Sequence, residues 1–117
     1  MINLKNDDQI NRIRESCHLL ADTFNEVEKS VQEGITTEEL NLIADSYIRK
    51  NGGVPSFLGY GGFPASICAS VNDTVIHGIP DKTRLRNGDI IGIDMGINLN
   101  GYYSDRAVTY SVGTVND

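Results

Sequence analysis

The stretch GDIIGIDMGINLNGYYSDRAVTY, Gly88 to Tyr110, decides the fold, because two β-type runs flank the dipeptide Asn100-Gly101. Asn and Gly both accept the positive φ of a type I′ turn, so the pair is a strong signal for a two-residue hairpin. Such a turn pairs Leu99 with Tyr102, and counting back sets Gly96 opposite Asp105 and Asp94 opposite Ala107. Side chains alternate between faces along a strand. One face then carries Ile91, Ile93, Met95, Ile97 and Leu99 and reads as core. The other carries Ile90, Gly92, Asp94, Gly96 and Asn98 beside Tyr103, Asp105, Ala107 and Thr109. A three-residue loop without a compensating bulge would put the two aspartates on opposite faces instead.

In the two-residue register Asp94 and Asp105 are diagonal neighbours, with Cβ atoms within about 7–8 Å. Two carboxylates at that spacing repel unless one is protonated or a cation lies between them. Carboxylates that bridge a pair of metal ions, which then activate water for hydrolysis, are one solution. Gly92 and Gly96 weaken a strand and suit a place where something approaches the backbone closely. A solvated polar face on an edge hairpin accounts for the same pattern without any chemistry.

Upstream, Ile10, Ile13, Cys17, Leu20, Phe24, Val27 and Val31 recur three and four residues apart, which predicts a helix over about residues 7–32 with one buried stripe. Asn6 with Gln9 forms a capping-box pattern, and Gly34 supplies a stop. His18 falls beside the stripe and reads as a surface residue. Thr36 with Glu39 opens a second helix, through Leu40, Ile43, Tyr47 and Ile48 to the glycines at 52 and 53. Val54 to Ser66, VPSFLGYGGFPAS, fits no helix or strand period; its aromatics are either a local mini-core or the walls of a pocket. The runs SICASV and TVIHGIP then read as short strands, with His77 at the end of the second. Helices followed by antiparallel strands predict an α+β domain, two N-terminal helices packed on an antiparallel sheet, over residues 1–117.

Composition narrows the function. A chain of 117 residues with 39% hydrophobic and 22% charged residues has the makings of one globular domain. A net charge of -6 with scattered Lys and Arg argues against nucleic acid as a partner. No segment approaches the ~18 apolar residues of a membrane span, and no basic head precedes an apolar run, so a cytoplasmic protein is expected. Cys17 and Cys68 lie far apart without C-x-x-C spacing and read as reduced core thiols.

The segments LGYGGFPASICASVNDTVIHGIP and LRNGDIIGIDMGINLNGYYSDRAVTYSVG, with the helix pair, resemble the N-terminal half of a bacterial type I methionine aminopeptidase. The combination of V-N-D-x-x-x-H-G-I-P with G-D-I-x-x-I-D and G-Y-x-x-D carries the resemblance, which covers essentially the whole chain. It implies half of the pita-bread fold shared by creatinases and aminopeptidases. It also implies dinuclear metal-assisted removal of N-terminal methionine from nascent polypeptides. Asp94 and Asp105 look like the first two of the family's five protein ligands to divalent ions, cobalt, manganese, iron or zinc. His77 is similar to the family's catalytic histidine near the scissile bond. Phe57, Tyr60, Phe63 and Cys68 match positions lining the pocket for the methionine side chain, although family members often carry a smaller residue where Phe57 stands and a tyrosine where Phe63 stands. Thr109 takes a supporting position beside the ions.

The family's other ligands, one histidine and two glutamates, together with its glutamate general base and a second histidine, lie in a C-terminal half. After Asp105 this sequence has neither histidine nor glutamate. The expectation is that the 117 residues bind metal weakly or not at all and are inactive alone. Their partner is then the missing C-terminal half or a second copy. The alternative is a non-catalytic half-fold module that self-associates or binds a peptide or another protein.

Overall fold

The computed structural model describes residues 6–72 and 78–113. Helix α1 spans Asp7–Glu28. Its capping box is formed: Asn6 Oδ1 accepts the Gln9 N–H at 2.8 Å, and Gln9 Oε1 accepts the Asn6 N–H at 3.0 Å. The helix ends four residues short of the predicted boundary. Ser30 and Val31 donate to Val27 and Glu28 in tight i→i−3 turns, and Gly34 N–H goes to the Leu85 carbonyl at 2.8 Å instead of continuing the helix. The buried stripe is Ser16, Leu19, Leu20, Thr23, Phe24 and Val27. Cys17 is exposed, which corrects its expected place as a core thiol, and Cys68 is only half-buried. The helix is turned so that Ser16 faces the sheet, where its hydroxyl lies 2.9 Å from that of Ser104.

Helix α2, Thr37–Lys50, begins at Thr36, whose Oγ1 accepts the Glu39 N–H at 3.0 Å. Two further N–H groups of its first turn, on Thr37 and Glu38, donate to the carbonyls of Thr83 and Asp81. Leu40, Ala44 and Ile48 form its buried face. No helix among the described residues is long and apolar enough to cross a membrane.

The sheet is built around its longest inner strand. Strand β1 is Val54–Pro55, β2 is Ile67–Val71, β3 is Ile90–Leu99 and β4 is Tyr102–Ser111, and all pairings are antiparallel. β4 runs along one edge of β3, while β1 and β2 lie end to end along the other. Val54–Pro55 was expected to be irregular. It is a strand because β2 reaches only to Met95, which leaves the edge of β3 at Ile97 and Asn98 open to it. Proline is tolerated there because β1 pairs on one side only. Of the predicted strand TVIHGIP, residues 73–77 lie outside the described residues, and Gly78 O accepts the Ala69 N–H at 2.8 Å.

The hairpin has the predicted register: Leu99 pairs with Tyr102, Gly96 with Asp105 and Asp94 with Ala107. Asn100 and Gly101 have φ of 54° and 89°. Ile91, Ile93, Met95 and Ile97 are buried in one core with Leu20, Phe24 and Val27 of α1 and Leu40, Ala44 and Ile48 of α2. The helices therefore cover one face of the sheet, and the face bearing the aspartates is free of them.

Polar links tie α2 to the start of β2. Asn41 Oδ1 accepts both the Ser66 N–H at 2.8 Å and the Ile67 N–H at 3.1 Å. Asp45 accepts the Ser66 hydroxyl at 2.8 Å and pairs with Arg49 at 3.1 Å. Removing a shared acceptor leaves two inward donors unsatisfied, whereas a carboxylate retains an acceptor. Asn41→Ala is expected to lose about 1–3 kcal/mol in urea unfolding, and Asn41→Asp markedly less.

Candidate active site

The open face of the sheet is organised in cross-strand rows. Cys68 on β2, Asp94 on β3 and Ala107 on β4 form one row, and their side chains share a face because directly paired residues point the same way. Ser70, Gly92 and Thr109 form the next row on one side of it; Gly96 and Asp105 form the row on the other. Asp94 thus has Asp105 and Thr109 as its two diagonal neighbours on β4. Among the described residues neither aspartate's carboxylate accepts a hydrogen bond or pairs with a cation.

Two recesses open beside these carboxylates. The larger, about 540 Å³, is walled by Phe57, Tyr60, Phe63, Pro64, Cys68 and Ile79, with Asp94 at its margin. The smaller, about 210 Å³, is lined by Ser56, Phe57, Tyr103, Ser104 and Asp105. Phe57 belongs to both and stands between them. The aromatic loop is a wall of the larger recess rather than a closed mini-core, since Tyr60 is 83% exposed. Its shape comes from short-range bonds: Gly59 N–H donates to the Phe63 carbonyl at 2.8 Å, and Tyr60–Gly62 form a 3-10 turn entered through left-handed Gly59.

All the described residues named from sequence, Asp94, Asp105, Phe57, Tyr60, Phe63, Cys68 and Thr109, lie on this face or in the loop beside it. His77 lies outside the described residues. Sequence reasoning did not pick out Ile79, although its place in H-G-I-P, two residues from His77, was a usable signal. It also passed over Ser56 and Tyr103 in the smaller recess, where no motif marks them.

Partial desolvation beside the recess wall, and then the negative charge of Asp105, raise the carboxyl of Asp94, whose side chain is otherwise exposed, above the ordinary aspartate range. Burial and the charge of Asp94 also raise the Cys68 thiol, which is therefore a poor nucleophile at neutral pH. The donor set fits a divalent cation: two adjacent hard oxygen donors, with no protein cation paired to them among the described residues, in mutual repulsion that a positive ion would relieve. Among the described residues no cluster of three or more His, Cys, Asp or Glu side chains forms, so these residues provide two carboxylates and no complete ligand shell.

The elevated Asp94 carboxyl carries a pH signature. An aspartate raised on folding gives up its proton first in the unfolded chain, so stability falls as pH climbs from the ordinary value near ~3.9 through the raised one. Asp94→Asn is expected to be the more stable protein at pH 7 without added metal, and the gap is expected to close below pH ~3.9. Thermal unfolding at a series of pH values reads this directly. A variant less stable than wild type at neutral pH would contradict it.

The sequence matches metallopeptidase family M24 over residues 11–117. A methionine aminopeptidase from Borreliella burgdorferi is 53% identical over 97% of this chain and 45% of its own length. One from Clostridium acetobutylicum is 48% identical over 100% of this chain and 47% of its own. The crystal structure of methionine aminopeptidase from Rickettsia prowazekii superposes with a TM-score of 0.93 at 37% identity, covering 99% of this chain and 47% of that one. The chain spans about half the length of the relatives it matches, and its helix pair and sheet are about half of their pita-bread fold. With the aspartate hairpin and the recess beside it inside the matched residues, this chain belongs to metallopeptidase family M24.

Proposed function

We propose that this chain supplies the first carboxylates and the side-chain pocket of an aminopeptidase that removes N-terminal methionine from polypeptides in the cytoplasm. The observation that carries the reading is the coincidence of two features on one sheet face: a diagonal pair of unpaired carboxylates, and an apolar recess that begins at one of them. In this reading Asp94 and Asp105 would hold divalent ions, cobalt, manganese, iron or zinc. When bound, such ions supply Lewis acidity and an activated water.

The chain's own residues do the positioning. Phe57, Phe63 and Cys68 receive the unbranched methionine side chain and exclude water from it, while Tyr60 and Ile79 form a rim that a bound peptide would cover. Seating that side chain brings the peptide's first carbonyl toward the carboxylate row. Thr109 flanks Asp94 on β4 and restricts the space around it. His77, carried over from the resemblance, contacts the substrate near the scissile bond. The remaining ion ligands and the general base come from polypeptide beyond these 117 residues.

A second reading has one specific observation in its favour. The outer edge of β4 is unpaired among the described residues, and the open face exposes Ile90 and Tyr103 at 52% and 67%. Edges and patches of this kind invite pairing with another chain. A non-catalytic module, self-associated or bound to a partner, would use them.

Two measurements separate the readings. Manganese titration of the 117-residue chain, followed by paramagnetic broadening of amide signals, is expected to give a dissociation constant of about 10⁻³ M, with Asp94→Asn and Asp105→Asn each about tenfold weaker. Hydrolysis of a methionyl tripeptide is expected only after addition of the polypeptide that completes the relatives' length, and its loss is expected in Asp105→Asn. Equal metal affinity in all three chains would overturn the carboxylate assignment. Concentration-dependent dimers without complementation would favour the module.

A further inference from the structure

Gly92 and Gly96 flank Asp94 symmetrically in sequence, but only one of them is required to be glycine. A Cβ on Gly92 would meet nothing nearer than the Ser70 carbonyl oxygen at 3.9 Å and Thr109 Oγ1 at 4.0 Å. A Cβ on Gly96 would lie 2.9 Å and 3.2 Å from Phe57 Cε1 and Cδ1 and would overlap Ser56 Oγ. Gly96 is also buried although it points to the open face, because the Phe57 ring rests on it. The chain holds the ring there: Ser56 N–H donates to Gly96 O at 3.0 Å, which fixes the residue before Phe57 against β3.

We infer that Gly96 is a specificity-determining residue, acting through Phe57 by setting how deeply that ring seats between the two recesses and hence how large a side chain the 540 Å³ recess admits. Gly96 has no side chain to contact a ligand. With a Cβ at this position the Phe57 ring must lift, and because Phe57 is itself a wall of the larger recess, lifting reduces the room opposite Cys68. The two positions act as one size pair: a large residue at 57 demands none at 96, and a small residue at 57 frees 96 to carry a side chain. That methionine is the natural occupant rests on the proposed function, whereas the size pair can be tested without it.

Cys68 lines the recess and reports its free space. In a Cys17→Ser background, which leaves a single thiol, alkyl methanethiosulfonates convert Cys68 to a mixed disulfide, releasing methanesulfinate as the thiolate attacks. The ratio of the benzyl to the methyl reagent's rate measures room in the recess, and the thiolate fraction cancels from it. Gly96→Ala is expected to lower that ratio about tenfold. Gly92→Ala is expected to leave it unchanged, and Phe57→Ala to raise it. In the Phe57→Ala background, adding Gly96→Ala is expected to change the ratio by less than about twofold. An equal fall with and without the Phe57 ring, or no fall in either, overturns the inference. If Gly96→Ala does not fold while Phe57→Ala/Gly96→Ala does, the rescue supports it; if neither folds, Gly96 serves Ser56 and the inference is wrong. Loss of methionyl peptidase activity after complementation bears on the proposed function alone and leaves the labelling ratios standing.

Discussion

A turn of two residues leaves the strands it joins a single register, and in this chain that register settles core and site together. With Asn100 and Gly101 at the tip, every second residue of β3 is sent beneath the helices and every other one to the opposite face. A slip of one residue would exchange the faces of the slipped strand. Slipping β3 would lift four buried apolar side chains out of the core, each worth about 1.5–3 kcal/mol of burial, and would press Asp94 into their place. Packing energy therefore holds the carboxylate in position although Asp94 makes no packing contribution of its own.

The helices act on the site from behind. Ser16 and Ser104 meet through their hydroxyls, and Ser104 also donates to the Ser16 carbonyl at 3.1 Å, so α1 is pinned to β4 at the residue next to Asp105. Asn41 and Asp45 of α2 hold Ser66 and Ile67 at the entry to β2, the strand that carries Cys68. Each polar link joins a helix to a strand one or two positions from a residue of the open face. The face can stay uncovered and polar because its strands are located by contacts made on the other side.

What was legible in sequence was local. The hairpin turn, both helix starts and the diagonal aspartates follow from residues a few positions apart, and all are found as read. The features that sequence misplaced were set by partners far along the chain. Helix α1 ends early because Gly34 bonds to Leu85, and its face is turned toward Ser16 rather than Cys17 by Ser104. β1 exists because β3 has spare edge beyond the reach of β2. Gly96 was read as a place of close approach, which it is, and the group that approaches it is the chain's own Phe57. The two arms of the aromatic question, core or pocket, could not be separated by composition, because the same residues serve either use until the sheet beneath them is known.

The loop between β1 and β2 leaves and rejoins the sheet at adjacent places on one strand: Ser56 bonds to Gly96, and Ile67 pairs with Met95. Its span across the sheet is thus nearly zero whatever it contains, and the entropy of closing such a loop grows only logarithmically with its length. Residues between Phe57 and Pro64 can be gained, lost or exchanged without asking the core to adjust, while buried Ser66 stays tied to α2. The scaffold behaves as a socket that accepts different pocket walls, with the residue at position 96 deciding how bulky the root of each inserted wall can be. Divergence in substrate preference among chains built this way would then begin in the loop and be licensed from the strand below it.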